Sequence, residues 1–281
     1  MSKPSRRVRA PMMLISAAAS ALLLGGCSSV PTTGQASLPT GPISYALSGE
    51  HRGLPTVVFQ SGLGDDKRVW SQVLPAVRNG NQVFAYDRPG YGSSPAVAGK
   101  RDACTIAAEE RNVLRAAGVR PPYLLVGHSI GGLYQYVFAK LYPDEVAGIV
   151  LLDPTHPQHW ASMQRDVPNT AAALKTLGKV LFNSTEQREF DDQASCLDTI
   201  DMTRALRMPG RILVSTAFNP LMSASFKDMA SKLFVDWARM TGANGVEAVP
   251  DSGHYIQNDR PQAVIKAISS VAEQLRGKAA H

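Results

Sequence analysis

Residues 127–132 read GHSIGG, after the apolar run PPYLLV and before LYQYVFAKLYPDE. A serine hydroxyl is a weak nucleophile until a neighbouring base takes its proton. Six histidines are available, at 51, 128, 156, 159, 254 and 281. His254 lies in a glycine-bounded loop between a short apolar run and a helical pattern, which makes it the expected base. His128 adjoins Ser129, so on a tight turn its side chain points elsewhere, and it is read as packing or support. His156 and His159 are read as surface histidines, with a place at the substrate entrance as the alternative. The base needs a carboxylate to hold its tautomer and stabilise the imidazolium. The segment RILVSTAFNPLMSAS contains no acid, Asn219 is uncharged, and Asp228 is the next carboxylate after it. Asp153, at the end of AGIVLL, and Asp228 are both candidates. The plainer reading of Asp153 is a loop cap beside Pro154.

The elements that must position these groups are legible as alternating patterns. TVVFQ (56–60), QVFAY (82–86), YLLV (123–126), AGIVLL (147–152), RILVS (211–215) and GVEAV (245–249) read as short buried strands. Their near-continuous apolar character suits a parallel sheet covered on both faces. Ile130, Leu133, Tyr134, Val137, Phe138 and Leu141 form one helical stripe, ended by Pro143. Residues 104–117 and 262–275 carry similar stripes. The alternation predicts an α/β fold with a mostly parallel twisted sheet flanked by helices. Residues 154–209 contain no convincing strand and hold helical patches at 170–182 and 186–207. They read as a helical cap inserted before the penultimate strand. Ser129 therefore sits on a strand-to-helix turn, and Gly127-His128-Ser129-Ile130-Gly131 fits G-x-S-x-G.

In this setting the chain resembles the α/β-hydrolase superfamily from about residue 41 to 277. SGLGDDKRVW (61–70) is similar to the loop after the third strand that supplies oxyanion-hole backbone. YDRPGYGSS (86–94) resembles the family's Asp-Arg-Pro-Gly loop, GHSIGG the nucleophile elbow, and SGHYIQNDRP (252–261) the loop of the catalytic histidine. The resemblance implies a triad in the order Ser129, Asp153, His254, with the backbone N–H groups of Leu63 and Ile130 as oxyanion donors. Many relatives carry the acid after the strand that follows the insertion. This chain departs from that pattern, and some relatives carry it at the Asp153 position. Asp87 and Arg88 are read as loop braces.

The N-terminus reads as an address. MSKPSRRVRA is basic, MMLISAAASALLL is apolar and shorter than a membrane span, and Leu24-Gly25-Gly26-Cys27 resembles a lipobox. Residues 1–26 are thus expected to be a lipoprotein signal peptide, with Cys27 lipidated and 27–40 a flexible tether before the domain of residues 41–281. Ser28 after the cysteine favours the outer membrane by resemblance to the sorting rule of two-membrane bacteria. In an exported chain Cys104 and Cys196 form a disulfide or remain two buried thiols. The formal charge of +6 owes much to Lys3, Arg6, Arg7 and Arg9, and no long basic run follows, so nucleic acid is not expected as a partner. No metal-ligand or phosphate-loop spacing occurs, and no cofactor is expected.

These readings converge on a membrane-anchored serine hydrolase that cleaves a small-molecule carboxylic ester through an acyl-enzyme. The alternatives are a cofactor-free haloperoxidase or an amidase/peptidase on the same triad, or a non-catalytic binding lipoprotein. Met163, Leu174, Leu177, Leu181 and Phe182 suggest an apolar acyl pocket, or simply cap packing.

Overall fold

The computed structural model describes residues 32–217 and 223–279. Cys27 and the expected signal peptide, residues 1–26, lie outside the described residues. Among the described residues, eight strands form one sheet in the order β1-β2-β4-β3-β5-β6-β7-β8. They are β1 (Thr32–Leu38), β2 (Gly41–Ser48), β3 (Thr56–Gln60), β4 (Val83–Tyr86), β5 (Tyr123–His128), β6 (Val146–Leu152), β7 (Gly210–Ser215) and β8 (Glu247–Val249). β3 to β8 run parallel, whereas β1 pairs antiparallel with β2, and β2 with β4. Between β3 and β5 the winding reverses direction. That reversal opens a crevice at the carboxyl ends of the strands, where ligands of such sheets bind.

The apolar runs are continuous because both faces of the sheet are covered. Val58, Leu125, Ile149 and Leu151 point into one core with α2 (Ala103–Ala116) and α3 (Ile130–Leu141). Val57, Phe59, Leu124, Val126, Val150 and Leu152 point into the other, with α9 (Pro261–Ala279) and Trp70. The smaller helices α1 (Leu74–Val77) and α8 (Ile256–Asp259) lie on this second side, where each contacts an element of that layer.

Residues 154–209 carry α4 (His159–Asp166), α5 (Pro168–Leu181), α6 (Ser184–Asp192) and a 3-10 turn at Leu197–Thr199. α6 opens with a capping box in which Asn183 and Glu186 satisfy each other's backbone N–H groups. A disulfide joins Cys104, in the first turn of α2, to Cys196 beyond α6, with 6.2 Å between the Cα atoms. α7 (Ala224–Thr241) follows β7. Among the described residues, no helix is long and apolar enough to cross a membrane.

Two expectations are corrected, and one element is added. The stretch 27–40 is not a tether throughout: residues 32–38 form β1, in full register with β2 from Thr32↔Leu47 to Leu38↔Gly41. β1 is an edge strand that buries Ala36 and little else, so its sequence, TTGQASL, has the composition of a linker. The helical patch at 186–207 ends at Asp192, and the chain beyond it is turn and irregular structure. The segment between the last two strands holds a long helix, α7, which the strand pattern alone did not reveal.

Candidate active site

The turn after β5 is built from what its side chains lack. A Cβ on Gly127 would come within 2.5 Å of the Gly131 carbonyl oxygen, and one on Gly131 within 2.5 Å of the Gln60 carbonyl oxygen. With the chain so compressed, Ser129 takes φ 55°, ψ −126°, a conformation rarely open to a residue with a side chain. Its N–H donates to Leu152 O on the adjoining strand, and its carbonyl accepts from Gly132 and Thr155. The serine is fixed at the N-terminus of α3. The Ile130 N–H belongs to the first helical turn, which has no partner within the helix.

His254 reaches Ser129 from the loop after β8. Its Nε2 lies 3.0 Å from Ser129 Oγ, and its Nδ1 lies 2.9 Å from Asp153 Oδ2. The ring is about half exposed, whereas the Asp153 side chain is only 8% exposed. The backbone of this loop is held from both sides. The His128 Nε2–H donates to the His254 carbonyl at 2.8 Å, and Ala217 N–H donates to Ser252 O at 2.9 Å. His128 itself is buried, its ring tilted against those of His254 and Tyr255. Burial, reinforced by the charge of a protonated His254, pushes its pKa down to about 3. It is a neutral support, as expected from its position beside the serine.

Asp153 leaves β6 with φ 45°. Its N–H donates to Leu213 O, and its carboxylate receives both donors of Ser215: the N–H on Oδ1 and the hydroxyl on Oδ2, each at 2.9 Å. Burial alone would raise this carboxyl. The bonds from His254 and Ser215 outweigh it and hold Asp153 below the usual aspartate range. Asp228 stands elsewhere, exposed on α7 and paired with Lys232. Ser215 was not foreseen. The signal for it is the register Leu152↔Leu213, which brings the end of β7 beside the residue following β6.

The loop after β3 faces the elbow. A Cβ on Gly62 would lie 3.0 Å from His128 Nδ1. Arg88, 1% exposed, uses all five of its N–H groups. Nη1 donates to Gln60 Oε1 and Ser61 O, Nη2 to Gly62 O and Glu189 Oε2, and Nε to Glu189 Oε1. A trans peptide points its C=O and N–H in opposite directions. By gripping the Gly62 carbonyl, Arg88 therefore also aims the Leu63 N–H of the same peptide. Asp87 accepts from Lys67 and Ser93 and braces its own loop.

A cavity of about 700 Å³ opens on Ser129, Asp153 and His254. α7 gives it an apolar wall of Phe226, Ala230, Leu233 and Phe234. Thr155, His156 and His159 line it as well. His156 is not a surface residue: it is 3% exposed. Its Nδ1 accepts from Gln158 N–H, so Nε2 carries the proton and faces Asp236 Oδ2 at 3.1 Å. His159 is partly buried and edge-on to Phe226, and burial lowers its pKa to about 4. The expected acyl-pocket residues lie elsewhere. Met163 packs with Met229 in a small core, while Leu174, Leu177 and Leu181 are 39%, 53% and 65% exposed.

Comparison with known proteins agrees with this architecture. YqjL of Bacillus subtilis (strain 168), an uncharacterized protein, is 36% identical over 99 residues, which are 35% of this chain and 39% of YqjL. The match thus spans well under two thirds of that relative's length. A thermophilic esterase from Thermogutta terrifontis superposes with TM-score 0.60 at 19% identity, covering 87% of this chain and 99% of its own. The epoxide hydrolase CorEH does so with TM-score 0.62 at 18% identity, covering 87% and 99%. At such identity these two share the fold, and their different chemistries say nothing of this chain's substrate. The profile of the Alpha/beta hydrolase family matches residues 57–267, and the chain belongs to that family.

Proposed function

We propose that this chain is a serine hydrolase that cleaves uncharged carboxylic esters through an acyl-enzyme. The observation that carries the reading is the unbroken hydrogen-bonded line Ser129–His254–Asp153 at the mouth of the cavity. Ser129 Oγ attacks the ester carbonyl carbon as its proton passes to His254 Nε2. The tetrahedral oxyanion is met by the N–H groups of Ile130 and Leu63. On collapse, His254 returns the proton to the leaving alcohol, and Ser129 keeps the acyl group. Water then attacks the acyl carbon with His254 again as base, which releases the acid and restores the serine. Asp153 holds Nδ1 protonated, so that Nε2 faces the serine as an acceptor.

The cavity lining supports the choice of an uncharged substrate. Among the described residues it offers no lysine or arginine, and its two histidines away from the triad have lowered pKa values and stay neutral near pH 7. An anionic substituent buried there would find no counter-charge. The test is labelling with a fluorophosphonate. Wild type should react, and Ser129→Ala and His254→Ala should not. A Ser129→Ala protein that still labels would refute the assignment.

The proposal extends to the envelope. A lipidated Cys27 would be separated from β1 by only four residues, an extended reach of about 17 Å. That would hold the domain against its membrane. Globomycin should make the uncut precursor accumulate in cells, and a product of mature size would count against lipidation.

A further inference from the structure

Much of the cavity wall is hydrocarbon, so its few polar side chains decide what a bound molecule must carry. Among the described residues, those outside the triad are Thr155, His156, His159 and Ser215. Ser215 is spent, since its hydroxyl donates to Asp153. So is His156, whose Nδ1 accepts from the Gln158 N–H and whose Nε2–H faces Asp236. His159 differs. Among the described residues its ring nitrogens meet no hydrogen-bond partner, and the ring stands edge-on to Phe226 with 6.5 Å between centroids.

The ring is nevertheless held in place. The His159 N–H donates to the His156 carbonyl at 2.8 Å. His156 in turn is paired with Asp236, so the start of α4 is tied to α7. Thr155, close by in the chain, has its N–H on the Ser129 carbonyl at 2.9 Å. A polar group fixed before anything binds needs little ordering when it meets a ligand.

Charge narrows the choice of ligand. Burial lowers the pKa of His159 to about 4, so near pH 7 the ring is neutral, with one N–H donor and one acceptor nitrogen. An anion would find no positive charge there. A hydroxyl both donates and accepts, so it satisfies either tautomer. A wholly apolar ligand would cover the ring nitrogens and leave them unpaired, which is costly.

We infer that His159 is a specificity residue, which binds a hydroxyl group that the substrate carries in addition to its ester, so that the cavity selects hydroxylated esters over their hydrocarbon counterparts. The inference rests on the ester-hydrolase reading for the reacting group and adds the chemistry of the rest of the substrate.

The test reads binding to the Ser129→Ala protein, which holds an ester without cleaving it. The ligands are methyl esters of ω-hydroxy acids and acetates of ω-hydroxy alcohols, with chains of about four to eight carbons. Each is paired with the isostere in which a methyl replaces the terminal hydroxyl. For at least one pair, His159→Phe should lower the hydroxyl-to-methyl affinity ratio by about ten-fold or more, as a site built to pair a hydroxyl requires. His159→Gln, which keeps a donor and an acceptor, should lose less. With His159 in place and its imidazole labelled with nitrogen-15, the His159 resonances should move at least about three-fold further with the hydroxylated ligand than with its isostere. A ratio unchanged by His159→Phe in every pair would overturn the inference. So would an equal loss for both members of each pair, which is what a ring that only packs would give, and so would failure of every hydroxylated ligand to bind. If the Phe variant does not fold, the spectra decide, and equal shifts with both ligands overturn the inference. None of these readings uses ester turnover or fluorophosphonate labelling, so the hydrolase assignment fails or survives separately.

Discussion

Removal of Glu189 should cost this protein a large share of its stability, and the magnitude follows from what the carboxylate holds. Glu189 is fully buried on α6 and accepts from Arg88, Arg101 and Tyr91, with the Tyr134 hydroxyl 3.5 Å away. Burial opposes ionisation of both Glu189 and Arg88, but their mutual attraction outweighs it, lowering the acid and raising the base. Glu189→Leu leaves Arg88 charged, buried and short of two hydrogen-bond partners, while Arg101 keeps Glu109. Breaking one side of a buried pair costs about 3–5 kcal/mol. For a domain of this size that lowers Tm by about 6–20 °C. Urea unfolding followed by tryptophan fluorescence should show the midpoint falling at unchanged slope. Glu189→Gln, which keeps the shape and part of the hydrogen bonding, should fall between. Lys232→Ala, which breaks the exposed pair with Asp228, should leave the midpoint in place. The same Arg88 Nη2 grips the Gly62 carbonyl, so kcat should fall with little change in KM in any Glu189 variant that folds. A Glu189→Leu protein with a wild-type midpoint would refute the claim that the cap is locked to the sheet through this pair.

Two further outcomes follow from the site. Asp153→Asn should lower kcat/KM for an ester by roughly a thousand- to ten-thousand-fold by releasing the wrong His254 tautomer. Asp228→Asn should change it less than two-fold, and Ser215→Ala should cost about 1–2 kcal/mol, or ~5–30-fold; a larger loss at Asp228 would transfer the acid's role. Stability should fall with acid before the carboxylates titrate. Folded His128 holds off its proton to about 3, whereas the unfolded residue takes it up near the usual 6.5. His128 therefore contributes fully above about pH 6.5 and loses about 1.4 kcal/mol per pH unit as pH falls toward 3. His128→Gln keeps a donor for the His254 carbonyl without a titrating ring. Its urea midpoints at pH 7, 6 and 5 should decline less steeply than wild type, and equal slopes would remove His128 as the cause.

What could be read from the residues alone divides along a physical line. The elbow is a local object: a strand, two glycines that admit close backbone, and a helix, all within 20 residues. Its geometry is written in adjacent side chains and is legible. Asp153 and His254 could be named as candidates because each follows a recognisable strand, and the structure brings both to Ser129. Ser215, the burial of His156 and the α7 wall depend on which strands and helices end up side by side. A Ser closing RILVS means nothing until the β6–β7 register sets it against Asp153. β1 escaped because an edge strand paired on one side, burying a single alanine, needs no apolar pattern of its own.

α5 shows the limit from the other direction. Its leucines at 174, 177 and 181 announce an apolar stripe as plainly as those of α3, and the stripe pointed to a pocket or to packing. In α3 the stripe is buried from Ile130 to Phe138, and only Leu141 in the last turn is exposed; in α5 the leucines remain in solvent. Periodicity reports that one face of a helix is apolar and is silent on what that face meets. α3 has one lysine, in its last turn, as the helix dipole favours. α5 has two, Lys175 and Lys179, on the side of the helix away from the stripe, so its charges do not tell what the apolar face meets.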